Sequence, residues 1–187
     1  TDDAMWKIYE PRWPKSADGK WYYKTDTSSD ELDGHYFLYA LYYDLVADTE
    51  SEKERVREHV RRLTDHIIEH GFQLMDHDGR PTRWARYSPK ELNFDKNWFV
   101  ERGLNSLSIL SYLITTAHIT GDDKYRDIAS ILVNQHGYAQ NMIDMKFQRG
   151  FGTGNQSDDE MAFMCYYNLV NYEQDPELRS RYAFSFW

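Results

Sequence analysis

Apolar positions along this chain alternate between two kinds of helical segment. Residues 33–47 (DGHYFLYALYYDLVA) are apolar almost all round, which predicts a helix buried on most of its faces. Residues 51–70 (SEKERVREHVRRLTDHIIEH) place Val56, Val60, Leu63 and Ile67 at helical spacing among charges, the pattern of an amphipathic surface helix ended by Gly71. The same pair recurs. Residues 102–118 (RGLNSLSILSYLITTAH) present a wide apolar surface, and residues 123–135 (DKYRDIASILVNQ) an amphipathic one. Between them lies Thr120-Gly121-Asp122-Asp123, where Asp122 or Asp123 can cap the following helix. A third inner segment covers 159–172 (DEMAFMCYYNLVNY), and a third outer one about 176–185, opened by Pro176.

The predicted fold class is therefore all-α: antiparallel helical hairpins with inner and outer helices alternating. Short connections make the members of the first two pairs antiparallel. If each outer helix returns the chain, the inner helices run parallel and their N-termini share one face. Three such hairpins describe part of an α/α toroid. Residues 1–24, with Pro11, Pro14 and Gly19 among Trp and Tyr, read as an irregular arm with one short helix, and 25–187 as the helical domain. Residues 72–100 interrupt the helices, and Asp78-Gly79 predicts a β-hairpin turn there.

Composition narrows the partners. The formal net charge is −9, from 31 acidic and 22 basic residues. That argues against a nucleic-acid backbone and against an anionic membrane surface. No apolar run approaches the roughly 18 residues of a membrane span. The single cysteine, Cys165, lies in an apolar helix and reads as a small hydrophobe. The 6 Trp, 15 Tyr and 9 Phe supply core, and some of these rings are candidates for stacking on sugars.

Three polar segments open the inner helices. The first is Asp26 to Glu31, followed by Asp33 and His35. The second is Asn93 to Trp98, followed by Glu101, Arg102 and Asn105. The third is Gly150 to Glu160. Each has a plain reading as a helix start, through capping and the macrodipole. Their convergence on one face gives the functional reading. Two carboxylates held at different pKa values are what cleavage of a glycosidic bond requires. The candidate catalytic acids are Asp30, Glu31, Asp158, Asp159 and Glu160. The candidate ligand-binding residues are His35, Trp84, Trp98, Glu101, Arg102 and Asn105. Arg102 can hold a carboxylate or pair with Glu101; Trp84 and Trp98 can stack on sugars or pack in the core; His35 reads as a base or a hydrogen-bonded core histidine.

Other motifs weigh less. His66 to His70 matches H-x-x-E-H, but at the C-terminal end of a charged helix these histidines answer the dipole better than a zinc ion. Asp76 to Gly79 lacks the spacing and closing Glu of a calcium loop. Glycines 150, 152 and 154 do not make a dinucleotide fingerprint and read as a loop at the cleft rim. No metal and no cofactor is expected.

The linker TGDDKYRDIA (120–129) and the helix openings DTSSDELDGH (26–35) and GNQSDDE (154–160), with the inner–outer alternation, resemble the six-hairpin glycosidase-like superfamily, and in particular a bacterial branch of it associated with glycan degradation. Its relatives include unsaturated glucuronyl hydrolases and N-acylglucosamine 2-epimerases. The resemblance covers about residues 25–185. It implies an α/α-barrel, a carbohydrate ligand handled by Asp or Glu with aromatic stacking, and an exported location. A complete toroid has about six hairpins and this chain has three, so self-association is expected if the ring is to close. The leading expectation is a glycoside hydrolase or polysaccharide lyase domain. The alternatives are a non-catalytic glycan-binding or helical interaction domain, and an epimerase using His35.

Overall fold

The computed structural model describes residues 13–145 and 156–186. Among them the helices are α1 (Ser29–Leu45), α2 (Glu50–Glu69), α3 (Pro89–Phe94), α4 (Arg102–Thr120), α5 (Lys124–His136), α6 (Tyr138–Asn141), α7 (Gln156–Tyr172) and α8 (Pro176–Phe186). One hairpin, β1 (Gln73–Met75) and β2 (Pro81–Arg86), stands between α2 and α3. The all-α class holds. Short helix α3 and the hairpin occupy the stretch expected to lack helix, and the hairpin turns at Gly79 (φ 77°). No helix forms over residues 13–24 of the arm, and residues 1–12 lie outside the described residues. Residues 13–24 form an irregular turn with one isolated bridge between Lys15 and Tyr22.

Local chemistry explains the boundaries. α1 begins four residues earlier than its apolar run, because the Ser28 amide donates to Glu31 Oε2 (2.8 Å) and so closes the first turn. Thr49 and Glu52 cap α2 reciprocally: the Glu52 amide donates to Thr49 Oγ1 (3.2 Å) and the Thr49 amide to Glu52 Oε2 (3.0 Å). α4 ends at Gly121, whose φ of 70° suits a residue without Cβ. Asp123 occupies the N-cap position of α5 without a side-chain cap, while Asp122 Oδ1 accepts the Lys124 amide at 3.0 Å.

α4 is the centre of the core, with every residue from Gly103 to Ala117 buried. α1, α2, α5, α6 and α7 pack around it. α1 departs from its expected burial. It buries Leu32, Asp33, Tyr36 and Ala40 but leaves Leu38 55% and Leu45 75% exposed. The physical reason is placement: α1 packs against α2, α4 and α7, which cover only one side of it. α1 and α2 are antiparallel, as Tyr36–Thr64 (2.7 Å) and Tyr39–His59 (2.9 Å) pair rising with falling numbers.

The three inner helices α1, α4 and α7 run parallel. Near their beginnings and middles, Asp33 meets Tyr112 and Cys165. Near their ends, Asp44 meets His118 (2.8 Å) and Tyr172 (2.8 Å), and the His118 and Tyr172 rings stack at 4.0 Å. Their N-termini therefore point to one end of the molecule.

Candidate functional site

That N-terminal end is built by the hairpin as much as by the helices. Asp26 holds an uncommon φ of 53°, and from there its amide donates to Asp76 Oδ2 (2.7 Å) while its Oδ1 accepts the Arg83 amide (2.7 Å). Asn105, buried in the first turn of α4, donates to the Trp84 carbonyl (3.1 Å) and the Arg86 carbonyl (2.9 Å). One segment before α1 and one carboxamide on α4 thus hold β2 at the openings of both helices. Gly103 completes the packing. A Cβ there would lie 2.1 Å from the Asp144 carbonyl oxygen, so the backbone at 144–145 crosses α4 where only glycine fits.

The residues expected at the site separate into three groups. The first group is exposed at this end: Asp30, Asp159 and Glu160 beside the helix starts, and Trp84, whose ring the Arg83 guanidinium covers at 4.6 Å. The second group is committed to local structure. Glu31 pairs with Lys24 (2.6 Å) as well as capping α1. Asp30 of the first group is exposed and also takes the Ser28 hydroxyl. Asn105 braces the hairpin. Glu101 occupies the N-cap position of α4, and Arg102 lies 4.9 Å over the Phe99 ring. Trp98 is half-buried under Arg86, 5.5 Å from its ring. The third group departs from its expected setting. Asp158 is buried to 5% exposure, whereas its neighbours Asp159 and Glu160 face solvent. His35 is exposed and stacks on Tyr39 (5.7 Å between centroids), so it is not a core histidine. The rim loop expected at glycines 150, 152 and 154 lies outside the described residues.

Beneath the exposed acids lies a polar centre that the pattern reading missed. Asp33, 1% exposed, accepts the Tyr112 hydroxyl at 2.5 Å and the Cys165 thiol at 3.2 Å on Oδ1. Its Oδ2 has no hydrogen-bond partner among the described residues. Tyr112 also reaches the Ser29 carbonyl (3.2 Å), lies 3.4 Å from the Tyr87 hydroxyl, and stacks on Tyr36 at 4.1 Å. Burial pushes the Asp33 carboxyl up from 3.8 to about 7, against the hydrogen bonds from Tyr112, Cys165 and Ser108. Burial, then the Asp33 charge, raises the Cys165 thiol well above its ordinary value. Cys165 is thus a protonated hydrogen-bond donor in this cluster rather than a simple hydrophobe or a nucleophile.

The signal for Asp33 was present in the sequence. It shares the buried stripe of α1 with Ser29, Leu32, Tyr36 and Ala40, and an acid on such a stripe is buried with it. A carboxyl titrating near neutrality can hold or release a proton at physiological pH, but burial keeps Asp33 from direct contact with a solute. Any acid that touches a ligand belongs to the exposed rim.

The histidines of H-x-x-E-H are engaged within the fold. His66 Nε2 accepts the Met75 amide (3.1 Å) and His70 Nδ1 lies 2.7 Å from the His66 carbonyl. Burial, then the neighbouring His70, lowers the pKa of His66. Among the described residues no three His, Cys, Asp or Glu side chains form a metal-binding group, and no helix is long and apolar enough to cross a membrane. The chain matches no family model, no curated protein and no solved structure.

Proposed function

We propose that this is a carbohydrate-active domain of glycoside-hydrolase type, an arc of an α/α toroid whose ligand-handling end is the N-terminal end of the inner helices. The observation that carries this reading is the parallel run of α1, α4 and α7, with exposed Asp30, Asp159 and Glu160 and the ring of Trp84 at the same end. Carboxylates beside an exposed aromatic ring suit a sugar, which offers hydroxyls at its edge and C–H groups on its face. Asp159 and Glu160 on α7 and Asp30 on α1 come from different helices, so a glycosidic bond between them would meet acids from two sides. Arg102, Glu101 and Trp98 flank the opening of α4 as ligand-positioning groups. Exposed Leu45 on α1 and Phe163 and Tyr167 on α7 are the flanks through which self-association would extend the arc.

The test is a panel of neutral and uronic-acid oligosaccharides screened for turnover. Hydrolysis or elimination that Asp30→Asn or Asp159→Asn abolishes is the expected result. Full activity in both variants removes these acids from the mechanism.

A second reading has its own observation. Glu31 and Asp30 are engaged at the start of α1, as helix caps alone would be. On that reading the domain binds a glycan or a protein without chemistry. Asp30→Asn would then lower the unfolding temperature and change no ligand response.

A further inference from the structure

Between α1 and α2, away from the N-terminal end, lies a groove of about 390 Å³, lined by Leu38, Tyr39 and Tyr42 from α1 and Glu52, Arg55, Val56 and His59 from α2. Its size falls in the range of small-ligand sites and suits one or two six-membered rings. Leu38 and Val56 give it apolar surface, and Tyr42, 36% exposed, offers a ring face. The Tyr39 hydroxyl and His59 Nε2, 2.9 Å apart, form a polar wall, and the His35 ring stacks on Tyr39.

The charges in the groove are not equivalent. Glu52 is committed to the start of α2, where Oε2 takes the Thr49 amide (3.0 Å), the Thr49 hydroxyl (2.9 Å) and the Asp48 amide (3.2 Å). Arg57, two residues from Arg55, is held by Glu50, Glu54 and Tyr43. Arg55 makes no hydrogen bond or ion pair among the described residues; it is exposed, and its charge is one of the influences that lower the Glu52 carboxyl. The groove thus combines a planar cation available for a new partner, an apolar floor, an aromatic face and a hydroxyl–imidazole pair.

We infer that this groove binds a ring-bearing carboxylate, with the Arg55 fork on the carboxylate, Tyr42, Leu38 and Val56 against the ring, and the Tyr39–His59 pair on a ring hydroxyl. Uronic acids and hydroxylated aromatic acids share that chemistry. The site is separate from the N-terminal end and does not rest on the carbohydrate reading above.

The test is calorimetric titration of the whole chain with digalacturonic acid and 4-hydroxyphenylacetate, each beside its neutral counterpart, galactobiose or tyrosol. At least one acid saturates, its counterpart binds at least about tenfold more weakly, and Arg55→Gln costs about tenfold or more, the loss expected for a charge-assisted bond. Whichever acid saturates identifies the source. Tyr42→Ala weakens the same binding, and Arg62→Gln, on the same helix but outside the groove, does not. Asp30→Asn and Asp159→Asn leave it unchanged, so its fate is distinguishable from that of the N-terminal site. Arg55 and Tyr42 are exposed, so the variants keep the fold, checked by circular dichroism. Equal affinity for acid and counterpart, indifference to Arg55→Gln, or no saturation by either acid at about 10 mM overturns the inference. So does a dimer in sedimentation that Tyr42→Ala abolishes and Arg55→Gln leaves intact, which would make a second copy the occupant.

Discussion

Replacing Asp33 by asparagine tests the buried centre through the pH dependence of stability. In the unfolded chain this carboxyl loses its proton near 3.8, and in the folded protein near about 7. Between those values the folded state holds more protons than the unfolded one, so stability falls as pH rises through the window. Below about 4 both states are protonated and the group is neutral in its effect. Above about 7 the full penalty of a buried carboxylate is present. The difference between the two ionisations corresponds to a penalty on the order of 4 kcal/mol. In Asp33→Asn the carboxamide keeps an oxygen for the Tyr112 and Cys165 donors but cannot ionise. The assay is urea denaturation of both proteins from pH 4 to 9, read as the difference at each pH. Taking the difference cancels His66, whose lowered pKa works in the opposite direction, its contribution being lost as pH falls. The variant should gain on the parent steadily from pH 4 to about 7, by a few kcal/mol in total, and the difference should then level off. A difference constant across that range refutes the account of Asp33 as a buried, proton-holding carboxyl.

The remaining predictions concern how the N-terminal end is assembled. Gly103→Ala puts a methyl 2.1 Å from the Asp144 oxygen and should lose roughly 1–3 kcal/mol by urea midpoint, whereas Gly34→Ala, with nothing within 4 Å, should hold or gain up to about 1 kcal/mol. Asn105→Ala removes both hydrogen bonds to β2 and should cost roughly 1–3 kcal/mol. Amide exchange should accelerate in the hairpin more than in α5; uniform acceleration would mean that Asn105 serves the core rather than the hairpin.

Much of the fold was legible because helical periodicity is a local property. The helical periods, the glycine stops and Pro176 each act within a few residues, and the antiparallel pairing of α1 with α2 followed from their short connection. What escaped depends on distant partners. α1 looks buried all round in its composition, yet which side is covered is decided by α2, α4 and α7. Asp33 stood in an acidic run and read as part of a helix start, although its phase with Leu32 and Tyr36 put it on the buried side. Trp84 and Asn105 each stand out in the sequence but their relationship does not, because a hairpin held by a carboxamide 19 to 21 residues away leaves no periodic trace. The zinc-like histidine motif shows the converse: a sequence match in which one ring nitrogen of each histidine is engaged by the backbone around it.

On the proposed function, ligands meet this molecule at the N-terminal end of the parallel helices α1, α4 and α7. The most direct measurement is amide chemical-shift mapping of the whole chain against the neutral and uronic-acid oligosaccharide panel. The predicted result is perturbation at Asp30, Trp84, Trp98, Arg102, Asn105, Asp159 and Glu160 by at least one glycan. Perturbation confined to the opposite end around Asp44, His118 and Tyr172, or no perturbation of the N-terminal end by any glycan in the panel, would contradict it.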